Sequence, residues 1–235
     1  MVAARDAVRL RRALAEASPA AYTPDLAASL ANLAAFLSEV GERNEALEAA
    51  REAVELYRAL AEDSPAAYTP DLAASLTNLA NLLSAVGERN EALEAAREAV
   101  ELYRALAEAS PAAYTPNLAA SLTNLAISLS EVGERNEALE AAREAVELYR
   151  GLAEASPAAY TPDLALSLNN LATILSEVGV PDEALVAARG AVERYRGLDE
   201  GNPSAYAPDL VRLLHKQNTI YPQGGDDDVA LVLGA

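Results

Sequence analysis

Four asparagines, Asn32, Asn78, Asn124 and Asn170, recur at a fixed interval of 46 residues. A side-chain amide donates and accepts at once, which is the pairing a peptide backbone asks for. Asparagine is also an indifferent helix former, so its return inside helix-like sequence needs a reason. Two reasons stand open: each amide bonds a neighbouring helix end or water, or stacked repeats set the four in a row of paired donors and acceptors. Bond-making chemistry has little to work with. There is no Cys, and His215 is the single imidazole, read as part of a capping helix. Ser38, Ser84, Ser130 and Ser176 recur without a histidine partner and read as polar positions late in a helix. No D-x-D-x-D-G calcium loop and no glycine-rich phosphate loop occurs. The expectation is a non-enzymatic protein without metal or cofactor.

Charge narrows the partners. Lys and Arg number 18 against 36 Asp and Glu, a formal net charge of -18. Such a surface repels phosphate, which argues against nucleic acid and anionic membranes. Residues 1–12 carry no apolar signal core, and the longest uncharged run, Ala109 to Ser130, holds two prolines. A cytoplasmic protein is expected.

The elements that must position the asparagines are legible from the repeat. Ser-Pro-Ala-Ala-Tyr-Thr-Pro starts at Ser18, Ser64, Ser110 and Ser156, and a degenerate copy starts at Asn202. Four units therefore run 18–63, 64–109, 110–155 and 156–201, and residues 3–18 match the second half of a unit. Each unit reads as two helices. In the first, Thr23 is placed to cap, Pro24 to open the helix, and Leu26, Leu30, Leu33, Leu37 and Val40 form one apolar face. Gly41 ends it in the left-handed cap position. Asn44 is placed to cap the second helix, where Ala46, Ala50, Ala53, Tyr57 and Leu60 form the inner stripe. Glu48, Arg51, Glu55 and Arg58 alternate in sign on its solvated side.

Units one to three differ at only seven of 46 positions. Four lie in the first helix: Ala31/Thr77/Thr123, Ala35/Asn81/Ile127, Phe36/Leu82/Ser128 and Glu39/Ala85/Glu131. Their spacing puts them on one side of a helix. Unit four adds Asn169 and Thr173 to that side. Drift among recent duplicates would scatter changes over both helices, yet residues 42–58 are invariant in all three copies. Tuning for a ligand and gene conversion of the second helix both fit.

The pattern resembles the tetratricopeptide repeat (TPR), with Leu30, Leu33, Ala34 and Leu37 in the first-helix positions and Ala46, Ala50 and Ala53 in the second. Trp and Phe are missing from their usual places, and 46 residues exceed the common repeat. The length and the Pro-Ala-Ala-Tyr segment are similar to the long repeats of kinesin light chains and of bacterial arrays attached to signalling enzymes. The resemblance implies an all-α, right-handed superhelical solenoid of antiparallel helix pairs, about ten helices in all. It also implies that the first helices line the concave side, and that the asparagines are similar to the ladder by which some family members hold a peptide backbone. The candidate peptide-binding set is then Asn32, Asn78, Asn124, Asn170, Thr77, Asn81, Thr123, Ile127, Asn169 and Thr173. Phe36, Leu82, Ile127 and Leu166 are candidate pockets.

The first helices carry no Lys or Arg, whereas Asp25, Asp71, Asp163, Glu39, Glu131 and Glu177 lie on them. An extended neutral or basic peptide is the expected partner. The organisation expected is a partial repeat over 1–17, four repeats over 18–201, a capping helix over 202–217 and an irregular tail over 218–235. That tail, Gly224 to Leu233, resembles the last strand of metal-dependent phosphatases but lacks the catalytic sheet, and reads as a loosely docked end. Val8 and its neighbours have no preceding helix to cover them, which predicts end-to-end self-association or an N-terminal helix that packs incompletely. Two alternatives to a peptide scaffold stay open: a regulatory segment of a larger signalling protein, and a structural module assembling by its ends.

Overall fold

A computed structural model describes residues 2–201. The chain forms α1 (Val2–Ala17), α2 (Pro19–Glu39), α3 (Arg43–Asp63), α4 (Pro65–Val86) and α5 (Arg89–Ala109). It continues through α6 (Pro111–Val132), α7 (Arg135–Ala155), α8 (Pro157–Glu177) and α9 (Pro181–Gly201). The architecture is all-α: within α1–α6, and again within α7–α9, each helix packs on its sequence neighbour as an antiparallel pair. Helices α1–α6 form one compact unit and α7–α9 another. The expected capping helix, the tail and His215 lie outside the described residues.

The first helix of each repeat starts earlier than Thr23. Ser18 is the N-cap and Pro19 the first helical residue, so Pro24 lies inside α2. Proline costs nothing at the first position, because that N–H has no intrahelical partner in any case. The Ser18 carbonyl accepts from the N–H groups of Ala21 and Tyr22, both at 3.2 Å. Pro24 then denies a partner only to the carbonyl of Ala20, one turn in, and burial of Leu26, Ala27 and Leu30 offsets the loss. The same proline recurs inside α4 and α8 as Pro70 and Pro162.

The turn between paired helices explains why Asn44 does not cap. Gly41 takes φ 83°, a conformation that costs residues with a Cβ. The Gly41 N–H bonds the Ser38 carbonyl at 3.1 Å and the Glu42 N–H bonds the Leu37 carbonyl at 2.9 Å. This closure brings the chain back to helical geometry at Arg43, with Glu42 as N-cap and Asn44 already in the second helical position. Between repeats the connection is shorter still. Ser64 alone both ends α3 and begins α4.

The core is leucine from the first helices against alanine from the second. Leu30, Leu76 and Leu122 are nearly inaccessible, and Ala46, Ala92 and Ala138 are wholly so. Alanine at the contact lets paired helices approach closely, which aromatic-poor sequence requires if the interior is to reach normal density. Tyr57, Tyr103 and Tyr149 close the far end of each second helix. Val40 departs from the expected stripe and is 50% exposed at the turn. Val8, expected to lack cover, is buried, because α2 packs over α1. Leu10 and Leu14 are the exposed apolar residues of that helix.

The charged face of the second helices pairs mostly across repeats, with Arg9–Asp6 of α1 and Arg150–Glu147 of α7 paired within one helix. Arg5 and Arg12 of α1 reach Glu45 and Glu52 of α3, with N–O distances of 2.6 Å. Arg51 reaches Glu91 of α5 at 2.6 Å, and Arg58 holds both carboxylate oxygens of Glu98. In the second unit Arg143 reaches Glu183 of α9 at 2.6 Å.

Candidate functional site

Within the first unit, α2 packs beside α4 and α4 beside α6, so the first helices of successive repeats touch. The second helices α1, α3 and α5 stand further apart and are tied through long arginine and glutamate side chains. A row that is closer on one side curves toward that side, so the first helices form the inner wall of this unit.

The face of that wall opposite the leucine core carries the asparagines. Asn32 and Asn78 are exposed and Asn124 is half-buried. Asn81 lies one turn beyond Asn78 and is exposed, as is Ile127 at the same register in α6. Adjacent helices lie about 8–10 Å apart and an extended chain advances about 3.3 Å per residue. Neighbouring amides thus match backbone groups about three residues apart in an extended peptide. In the second unit Asn169, Asn170 and Thr173 of α8 are half-buried.

Other members of the expected set are used inside the wall. The Thr77 hydroxyl donates to the Ala73 carbonyl at 2.9 Å and lies 3.3 Å from the Ser121 hydroxyl of α6. Thr123 is buried and donates to the Ala119 carbonyl at 2.9 Å. Thr173 donates to the Asn169 carbonyl at 3.0 Å. Thr77 and Ser121 thus tie one first helix to the next. Leu82, expected as a pocket, is buried, whereas Phe36, Ile127 and Leu166 are exposed. A helix places successive residues about 100° apart, so the four variable positions cover more than the outward face: residue 77 points at the neighbouring helix and residue 82 into the packing.

The acidic positions divide likewise. Ser84 of α4 donates to Glu131 of α6 at 2.8 Å, a second polar tie between first helices. Asp71 sits by Tyr57 and Tyr103, the tyrosines on either side of it in the stack. Burial pushes the Asp71 carboxyl above its usual range. Burial first, then the nearby Asp71 charge, pushes the Tyr57 phenol up to about 12. Asn117, at the equivalent position in the next repeat, hydrogen-bonds Tyr103 instead. In the second unit Asp163 beside Tyr149 repeats the arrangement, with both groups raised by burial. Among the described residues no group of three or more His, Cys, Asp or Glu side chains is arranged to hold a metal. No described helix is long and apolar enough to cross a membrane.

The tetratricopeptide-repeat family model matches residues 26–66, 72–111, 118–155 and 164–198, well over half of the chain. The chain belongs to the tetratricopeptide-repeat family. Its repeats are of the long, kinesin-light-chain type. Repeats of this family generally mediate protein interactions. No curated protein matches the sequence. Among solved structures, this TPR chain is similar to BtubC (BKLC) from P. vanneervenii, with a TM-score of 0.73 at 20% identity, covering 99% of this chain and 86% of that one. A Podosopora anserina protein of nearly identical TPR-like repeats gives a TM-score of 0.62 at 21% identity over 88% of this chain and 90% of its own. Aspartyl phosphate phosphatase F from Bacillus subtilis gives 0.64 at 15% identity, over 88% of this chain and 48% of the phosphatase. At these identities the likeness is one of fold.

Proposed function

We propose that this TPR chain is a cytoplasmic, non-enzymatic scaffold that holds an extended neutral or basic peptide along its first helices. The observation that carries the reading is the exposed amide repeated on the face opposite the core, at Asn32 and Asn78, with Asn124 half-buried at the same register. Asn170 continues the register in the second unit. Asn81 and Ile127 supply the side-chain contacts that differ between repeats, Asn169 adds an amide beside Asn170, and Thr77 ties one first helix to the next while Thr123 and Thr173 bond within their own helices. The absence of Lys and Arg from these helices, with Glu39 and Glu131 exposed on them, favours a partner that is not acidic. The overall charge of -18 disfavours nucleic acid and anionic membrane.

Each amide contributes about 0.5–1.5 kcal/mol net, so removing two costs about 1–3 kcal/mol, or about 5- to 150-fold in affinity. Capture from a library of extended peptides, followed by titration against wild type and the Asn78→Ala/Asn124→Ala double variant, tests this. Loss of affinity with an unchanged melting temperature is expected. A double variant that binds as tightly as wild type removes the amide row from the mechanism. A second reading, association of the array by its ends, is favoured by Leu10 and Leu14, which are 62% and 43% exposed on α1. Sedimentation of Leu10→Glu against wild type at rising concentration separates the two.

A further inference from the structure

A different cavity opens between second helices, floored by the leucine face of a first helix and turned away from the asparagines. Between α1, α2 and α3 a cavity of about 670 Å³ has Leu30, Leu33 and Leu37 as its apolar floor. Its rim is closed by charge: Arg12 holds both oxygens of Glu52 at 2.6–2.7 Å, and Glu45 and Glu48 stand beside it. The counterpart between α7, α8 and α9 has the same floor, in Leu168, Leu171 and Leu175, and a volume of about 460 Å³.

Its rim is different because the fourth repeat departs from the other three at the positions that line it. Glu48, Glu94 and Glu140 give way to Val186, and Glu52, Glu98 and Glu144 to Gly190. Arg194 replaces the leucine of Leu56, Leu102 and Leu148. Two carboxylates leave the rim and one guanidinium enters it, in a chain whose net charge is strongly negative. Gly190 is not forced by crowding. A Cβ there would meet Arg194 and Leu168 at ordinary contact distances of 3.5 and 3.6 Å. The cavity with Glu52 is the roomier of the two, so what the mid-helix glycine changes is the charge of the rim: it removes the carboxylate that would face Arg150, at some cost in helix stability. Arg150, whose equivalents Arg12 and Arg58 pair with the next repeat, turns to Glu147 of its own helix at 2.6 Å. Arg194 lies over the glycine, donating to its carbonyl at 2.8 Å. At the other end Arg143 is paired with Glu183, beside Asp182.

We propose that this cavity binds a small amphipathic anion: an aliphatic carboxylate whose chain covers Leu168, Leu171 and Leu175 and whose head meets Arg150 and Arg194. The volume and the apolar floor suit a ligand of that size. A guanidinium is the side chain best matched to a carboxylate. Arg150 and Arg194 at one end of a leucine floor discriminate against a neutral chain of the same length.

The test is calorimetric titration of the full chain with decanoate and with decanol, for wild type, Gly190→Glu and Arg194→Gln. Wild type should bind decanoate saturably and at least tenfold tighter than decanol. Gly190→Glu restores the residue of the other three copies and offers Arg150 the carboxylate that Glu52 offers Arg12. It should lose binding at least tenfold while melting no lower than wild type, so that loss of fold is not the cause. Arg194→Gln should weaken decanoate and leave decanol unchanged. No saturable binding by wild type, equal binding of the two chains, or full binding by Gly190→Glu overturns the proposal. Binding that emerges only in a Leu231→Asp/Leu233→Asp variant also overturns it, by assigning the cavity to the chain's own Asp226–Leu233 segment.

Discussion

Close approach of paired helices through alanine is the property most open to a direct test. Ala80 of α4 is 2% exposed and lies on the same buried face of its helix as Leu76 and Leu83. Ala35, in the equivalent helix of the preceding repeat, is exposed. Tryptophan at either position carries the same loss of helix propensity, a few tenths of a kcal/mol, so the difference between the two variants isolates packing. Overpacking a filled core costs about 1–3 kcal/mol. For a chain of this size each kcal/mol lowers the melting temperature by about 2–4 °C, so Ala80→Trp should melt about 2–12 °C below Ala35→Trp. The protein has no tryptophan of its own, so emission from the introduced indole reports its surroundings without background. Melting followed by circular dichroism, with the emission maximum recorded beforehand, gives both readouts. Equal melting temperatures for the two variants, with a blue-shifted emission from the Ala80 variant, would refute the argument. The indole would then be accommodated without strain, and the helix contact would not be filled.

Two further outcomes follow from named groups. Tyr57, pushed up to about 12, keeps its proton in the folded state while an unfolded tyrosine ionises near about 10. Between those values the unfolded chain binds fewer protons, so the contribution of Tyr57 is complete below about pH 10 and is lost as pH rises toward 12. Phenolate absorbance should therefore lag in the folded protein, and Tyr57→Phe should reduce the loss of melting temperature between those pH values. An unaltered pH profile for Tyr57→Phe contradicts the assignment. The Arg58–Glu98 pair is half-exposed, so a double-mutant cycle should give a coupling of only about 0.2–1 kcal/mol, shrinking as salt is added. A coupling that ignores salt would mean that the pair is shielded from solvent.

Much of the fold was legible because the repeat fixes it locally. The leucine spacing, Gly41 and the Ser64-Pro65 break each act within a turn of helix, and four copies in register remove ambiguity. Helix starts were harder to read. Ser18-Pro19 and Thr23-Pro24 both satisfy the chemistry of a helix N-terminus, and the choice falls to the earlier one because the longer helix stays bonded around Pro24. The partners of the arginines and glutamates were out of reach for a different reason. Within one helix Glu48, Arg51, Glu55 and Arg58 look self-paired, whereas their partners are fixed by the stacking of whole repeats, which puts residues 40 apart in contact. The site is only partly legible on the same grounds. Asn32 and Asn78 were singled out by their repetition, but the four variable positions share one broad side of a helix, and only neighbouring helices decide which of them face outward. Thr77 was therefore grouped with Asn81, although its hydroxyl serves the contact with Ser121. The altered rim at Val186, Gly190 and Arg194 lies in the second helix of the last repeat, and comparing unit four with the others there, not only along the first helix, would have exposed it.

The one-residue joint at Ser64 has a consequence for how such a chain can change. Because Ser64 serves both helices, a single added residue there must either continue one helix, rotating everything beyond it by about 100°, or break a cap. Rotation by that amount turns the leucine stripe away from its partner. Lengthening is therefore tolerated at the glycine corners, where a short extension loops into solvent, or by copying an entire hairpin with its joint. Near-identity of the first three copies is what a protein that grows only in complete modules would display.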